Sequence, residues 1–169
     1  ANNWAKNILE TFKRHPSAAA VGGKAFAWND NNPVYGTDND FYSYQKIDPL
    51  LGYAETMQSG EEEIEVDSIS GAGVMIRRDV IDEIGYFDNA FFAYYEETDL
   101  FARMIRAGYT IMYQPRAHLW HQIAKSSKNK PYFYLYQMHR NRFMYGYKNF
   151  DNPYAFTKRY FMDSIYHFK

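Results

Sequence analysis

The sequence predicts an α/β fold. Three observations carry this. Short apolar segments of strand length alternate with segments of helical period. Gly and Pro stand at most of the joins. The 169 residues are 46% hydrophobic, enough to build one sizeable core.

The elements follow in order. Residues 2–14 read as an amphipathic helix, because Trp4, Ile8 and Phe12 recur every four residues with Leu9 beside them. His15-Pro16 ends it, since a residue before proline avoids the helical region. Residues 18–27 are small and apolar and read as a buried strand, where Gly22 and Gly23 imply a close backbone approach or a bulge. Residues 28–63 are polar and long for a structureless loop, the kind of segment that serves as a functional lid or stays disordered; the run Glu61-Glu62-Glu63 in it is a solvated face. Strand character returns over 64–76. Residues 78–84 form a short helix that Gly85 caps, 91–95 an aromatic loop, and 96–107 a second helix with Leu100, Phe101, Met104 and Ile105 as its apolar stripe. A strand over 109–113 stops at Pro115, and the remainder is aromatic and helical in tendency. Only about three core strands are visible, so the sheet reads as part of a larger one whose edge would otherwise lie uncovered.

Composition bounds the function. Without cysteine there is neither a disulfide nor a thiolate metal site. No apolar run approaches the roughly 18 residues of a membrane span, and no signal peptide is visible. The 17 Tyr and 13 Phe exceed what a core needs, because each buried hydroxyl wants a partner; they mark an interface or cleft, or else a hydrogen-bonded aromatic layer. The net charge of −1 hides an asymmetry: residues 1–124 hold 10 Lys/Arg and 18 Asp/Glu, residues 125–169 hold 9 and 2. An acidic body thus carries a basic, aromatic tail.

Three places hold residues suited to chemistry. Glu96, Glu97 and Asp99 open a helix just after the aromatic loop. Acids there satisfy the helix dipole, but three of them repel one another, and apolar walls from Tyr94 and Tyr95 raise a carboxylate's pKa toward that of a general base. His118 and His121 leave the last strand three residues apart, a spacing that puts them on opposite faces and argues against one shared metal. Asp38-Asn39-Asp40 has the Asp-x-Asp spacing of a cation–diphosphate site, but it follows a turn-like stretch instead of an apolar strand and reads as a decoy.

In order and spacing, four linked segments resemble family-2 glycosyltransferases, especially the rhamnosyl- and galactofuranosyl-transferase-like branch. They are Ser70-Gly71-Ala72-Gly73-Val74-Met75-Ile76-Arg77-Arg78; Ile84-Gly85-Tyr86-Phe87-Asp88 with Phe91-Phe92; Glu96-Glu97-Thr98-Asp99-Leu100; and Ala107-Gly108-Tyr109 with Pro115, Ala117 and His121. The resemblance covers roughly residues 2–127. It implies a partial GT-A (nucleotide-diphospho-sugar transferase) fold, a mixed sheet with flanking helices, for 1–127 as the acceptor-side part, with 128–169 as a helical, aromatic and basic tail.

It also implies inverting transfer from a nucleotide-diphosphate sugar to a saccharide or polyprenyl-linked acceptor, in bacterial cell-surface polysaccharide synthesis at the cytoplasmic face of the membrane. By match, Glu97 stands where the family has an Asp base, one methylene longer, and Asp99 is the fallback. Glu96, Tyr94, Tyr95, Trp120 and Ser126 match substrate-contacting positions. His121 matches a ligand of a divalent metal, Mn or Mg, whose Asp-x-Asp is expected upstream of Ala1 with the nucleotide-binding half; the isolated chain is then expected to be inactive. The tail has two readings, a layer on an anionic membrane surface or a helical pair packed on the catalytic body; nucleic acid is not an expected partner. The alternative function is a non-catalytic carbohydrate- or partner-binding module of the same fold.

Overall fold

A computed structural model describes residues 3–27, 41–57, 61–121 and 130–167. The first predicted helix is α1 (Trp4–Arg14), and the first strand is β1 (Ala18–Ala27), the centre of the sheet. β1 lies parallel to β7 (Thr110–His121) along one edge. Its other edge is shared by two antiparallel partners, β6 (Val74–Ile76) beside residues 20–22 and β2 (Phe41–Tyr42) beside 25–26. β5 (Ile64–Glu65) pairs antiparallel to β7. The result is a mixed five-stranded sheet. A separate hairpin, β3 (Tyr44–Ile47) and β4 (Ala54–Met57), occupies part of the predicted long polar loop.

Two cores flank the sheet. α1 covers one face through Ile8, which packs with Ala18, Val21, Met112 and Ala117. α2 (Arg78–Ile84) and α3 (Glu96–Arg106) cover the other, where Val80, Leu100, Phe101 and Met104 meet Ile69, Ile111 and Tyr113. The tail forms two antiparallel helices, α4 (Pro131–Asn149) and α5 (Pro153–His167). They meet where the Gly146 backbone leaves room for the Phe156 ring and where the Tyr160 hydroxyl donates to the His139 carbonyl at 3.0 Å. Among the described residues no helix is long and apolar enough to cross a membrane.

Two sequence expectations change. The strand expected over 64–76 is two short strands, because Ser70 caps a one-turn 3-10 helix at Gly71–Gly73 (its hydroxyl accepts from the Ala72 N–H) that interrupts the extended run. The last strand does not stop at Pro115. β7 runs on to His121, and proline is tolerated because the ladder slips there: Gln114 faces Gly23 and the next pair is His118 with Lys24. Pro115 thus sits in a bulge where its missing N–H interrupts no ladder bond. The Arg116 carbonyl, also out of the ladder, accepts from the Asn7 side chain at 2.7 Å.

Glycine makes this bulge buildable. A Cβ on Gly23 would lie 1.5 Å from the Ala117 carbonyl oxygen, backbone that cannot swing aside. Gly85, by contrast, ends α2 with φ +88° and faces open space. Gly23→Ala is therefore expected to remove more than about 4 kcal/mol of stability. Gly85→Ala should remove only the backbone strain, about 1–3 kcal/mol. Urea unfolding of the two variants checks the ranking, and equal losses would contradict the steric account.

Candidate functional site

The aromatic loop over 91–95 is wound in a conformation that its residues do not favour. Phe92, Tyr94 and Tyr95 all have positive φ, +58°, +68° and +68°. Left-handed backbone costs a non-glycine residue about 1–2 kcal/mol, so something outside the loop must hold it. That something is Asn141, fully buried on α4. Its amide nitrogen lies 2.7 Å from each of three loop carbonyls, those of Phe91, Ala93 and Tyr94. Next to it Arg140 donates to the Ala90 carbonyl at 2.8 Å. The loop also packs its rings on α4, Phe92 edge-on to Phe133 and Tyr94 edge-on to Tyr134.

The clamped loop delivers the start of α3. Tyr95 is the residue before the helix; it offers no side-chain cap, and its ring turns inward. Its hydroxyl donates to the Gly52 carbonyl at 2.9 Å and accepts from the Ala54 N–H at 3.3 Å, tying the loop to the β3–β4 hairpin. Burial pushes this phenol up to about 12. Asp99 is also drawn inward. Fully buried, it takes Arg103 on one oxygen at 3.1 Å, and Lys148 and Asn149 on the other at 3.0 Å each. Tyr95, expected at the substrate, and Asp99, expected as the fallback base, thus both have their polar atoms engaged by protein partners.

Glu97 is different. One oxygen accepts from the Gly71 N–H at 3.3 Å, while the other is buried and has no hydrogen-bond partner. Burial, and after it the charge of Glu96, push this carboxyl up to about 7, partly offset by the backbone amides of Glu97 and Gly71. Glu96 likewise has one buried oxygen without a partner. Buried carboxylate oxygens are normally bonded, so two bare ones at the head of one helix set this place apart from the saturated Asp99 beside it.

The turn at Gly71–Gly73 links this carboxylate to the end of β7. Its first residue touches Glu97. At its last, a Cβ would strike the Leu119 side chain at 1.9 Å. Leu119 and His121 alternate onto one face of β7. His118 and Trp120 take the other face, where the Trp120 ring stacks on Phe26 at 6.0 Å and His118 meets both rings edge-on. Glu97 and the strand end bearing His121 therefore border the same turn, and Trp120 belongs to an aromatic layer on the face opposite His121. Ser126 and the Asp38-Asn39-Asp40 run lie outside the described residues.

The divalent metal that the resemblance implies finds only part of a site here. Among the described residues no three His, Asp or Glu side chains converge as a ligand set. One imidazole does not hold a divalent ion on its own, and no step below runs through a metal. Sequence reasoning missed Asn141, Arg103, Lys148 and Asn149, which position the loop and the helix start. The one visible signal was an asparagine in mid-helix, a poor helix former in an aromatic run.

A family model described as "Glycosyltransferase like family 2" matches residues 3–146. Among curated proteins, the N-acetylglucosaminyl-diphospho-decaprenol L-rhamnosyltransferases of Mycobacterium tuberculosis strains CDC 1551 / Oshkosh and ATCC 25618 / H37Rv are each 31% identical over 77 residues, 46% of this chain. That match spans 25% of each relative's own length.

Two measurements check the geometry. Asn141→Ala removes the side-chain donor of the Ala93 and Tyr94 carbonyls, while Phe91 keeps the Ala93 N–H, and it is expected to cost about 3 kcal/mol in urea unfolding. For Glu97, the folded-state value of about 7 lies above the ordinary 4.5. Below pH 4.5 both states hold the proton and there is no penalty. As pH rises toward 7 the unfolded chain ionises first, so stability falls, by about 3 kcal/mol in full above pH 7. Glu97→Gln keeps the acceptor for Gly71 and removes the charge. It is expected to be more stable than the parent at pH 8 and to gain little at pH 5; an equal gain at both would show that ionisation is not what burial opposes.

Proposed function

The chain belongs to glycosyltransferase family 2, and from that premise we propose that it forms the acceptor side of an inverting sugar transferase with Glu97 as its base. The observation that carries this reading is the Glu97 carboxyl, anchored at one oxygen by Gly71, bare at the other, and poised near neutral pH. A group of that pKa takes a proton at physiological pH and still is half ionised when it must. In the reaction, the bare oxygen accepts the proton of an acceptor hydroxyl as that hydroxyl's oxygen bonds to the anomeric carbon of the donor. The bond from that carbon to the nucleoside diphosphate breaks, and the diphosphate leaves with the electron pair. One bond forms, one breaks, and the sugar configuration inverts.

Glu96 and Tyr94 are read as contacts to the acceptor, because they share the helix start with the base. Tyr95 and Asp99 are read as positioning residues, and Trp120 as part of the wall behind β7. His121 is read as a residue that would hold a metal neutralising a departing diphosphate. Support for an acceptor class comes from the relatives, whose printed name specifies a sugar on a decaprenol diphosphate; for this chain the reading is a saccharide or polyprenyl-linked acceptor. Such an acceptor sits in a bilayer, so the site works at a membrane, on the cytoplasmic side where nucleotide sugars are made.

The test is turnover of the whole enzyme with substitutions at position 97. Glu97→Gln is expected to lower kcat roughly 100-fold or more, and Glu97→Asp less, since a shorter carboxylate keeps the chemistry and loses reach. For the parent, log kcat/KM should climb with unit slope to about pH 7 and then level off, and the bend should vanish in Glu97→Gln. If Glu97→Gln turns over like the parent, Glu97 is not the base. If sugar binding persists in a protein with no turnover at any pH, the binding-module reading takes its place.

A further inference from the structure

The start of α4 is unlike the rest of the protein. Six consecutive residues, Pro131, Tyr132, Phe133, Tyr134, Leu135 and Tyr136, are exposed, and none is charged. A surface helix normally buries one apolar stripe and gives water the other side. Here Tyr132, Leu135 and Tyr136 project to water as an uncharged face, Tyr132 being 86% exposed, while Phe133 and Tyr134 lean on Phe92 and Tyr94. From Gln137 onward α4 is half sunk against the body, and its cations are engaged: Arg140 on Ala90, Arg142 on Asp163, Lys148 on Asp88 and Asp99. The basic tail is therefore not one uniform surface. Most of it packs, and the apolar turns at its head remain.

Phe92 extends this projection. It is 77% exposed, is held out by its left-handed backbone, and touches Phe133 edge-on. The antiparallel α5 brings the exposed Met162 and Ile165 toward the same end, as its contacts with α4 at Gly146–Phe156 and His139–Tyr160 show. Lys130, the residue before α4, is exposed at the outer end of the projection.

We propose that the first two turns of α4, with Phe92 beside them, dock into the interface of an anionic membrane. Shape fits: interfacial segments bury an apolar side about 5–10 Å into the boundary of headgroup and acyl chain, and the exposed Tyr132, Leu135 and Tyr136 share one side of the helix. Composition fits as well. Tyr and Phe are residues of the membrane–water boundary, where the ring is buried and the hydroxyl stays wet. Charge gives the choice of lipid, since Lys130 is exposed directly before these turns and the stretch 125–130 that leads into them carries three lysines and no acid. A protein partner would suit a flatter patch, and an acidic second copy of the body would be repelled by none of this, so oligomeric state is read in the same experiment. The proposal rests on the membrane-side location inferred above and not on the transfer chemistry.

The experiment is co-sedimentation of the protein with vesicles rich in phosphatidylglycerol and with vesicles of phosphatidylcholine alone. The parent is expected to bind the first far better, and less so as salt rises. A triple variant, Tyr132→Ser, Leu135→Ser and Tyr136→Ser, replaces exposed side chains only. It should keep the parent's circular dichroism and lose binding roughly tenfold or more. Tyr154→Ser, equally exposed at the other end of α5, should bind as the parent does. The proposal is overturned if the parent ignores anionic vesicles, if the triple variant still binds, or if the patch instead drives self-association in ultracentrifugation that the triple variant abolishes. Binding is read without turnover, so failure here leaves Glu97 chemistry untouched, and failure of that chemistry leaves this result standing.

Discussion

Everything at the site depends on one buried amide. Asn141 donates to a loop that would otherwise relax, because three of its five residues are in backbone regions they avoid. A strained loop persists only where the surroundings over-determine it. The surroundings here are Asn141 and Arg140 from α4, the Tyr95 hydroxyl on the hairpin, and the ring contacts with Phe133 and Tyr134. With the loop fixed, α3 begins at a fixed point, and Glu97 meets Gly71. The strain is spent on aiming a carboxylate.

The same helix start shows how two neighbouring acids acquire opposite characters. Asp99 is surrounded by Arg103, Lys148 and Asn149 and serves as an anchor. Glu97, two residues earlier, is buried beside the charge of Glu96 with one backbone amide for a neighbour, so its charge is resisted. Residues two apart on a helix point to different sides, which lets one turn carry both a structural tie and a carboxyl with a bare oxygen. The cation that quiets Asp99 also binds Asp88 and lowers its pKa, so Lys148 staples the loop ahead of the aromatic segment as well.

Much of this was legible in the sequence where local chemistry decides. The span of β1, the cap at Gly85, the helix from Glu96 and the crowding at Gly23 all follow from period, glycine and small side chains. The continuation of β7 beyond Pro115 was not legible, because the bulge that excuses the proline is made with Gly23, some ninety residues away. The break at Gly71–Gly73 was hidden for a similar reason: apolar residues on both sides imitate one long strand. The carboxylates of the site could be picked out, but their roles could not. Whether Asp99 or Glu97 is free depends on Lys148 and Asn149, which lie in a helix that sequence alone leaves free either to pack on the body or to lie on a membrane. Those long-range partners carry no local pattern.

α4 carries its exposed aromatic turns and its buried asparagine on one continuous rod, only a turn or so apart. A helix of this length is stiff, so the two ends of that segment cannot move independently. A push or tilt applied at Tyr132 reaches the carbonyls of 91–95 as a displacement of their common donor. The protein thus contains a short mechanical lever whose outer arm is apolar and whose inner arm holds the backbone that aims Glu97. A displacement of the helix head carries Asn141, and with it the contacts to 91–95, without any intervening hinge.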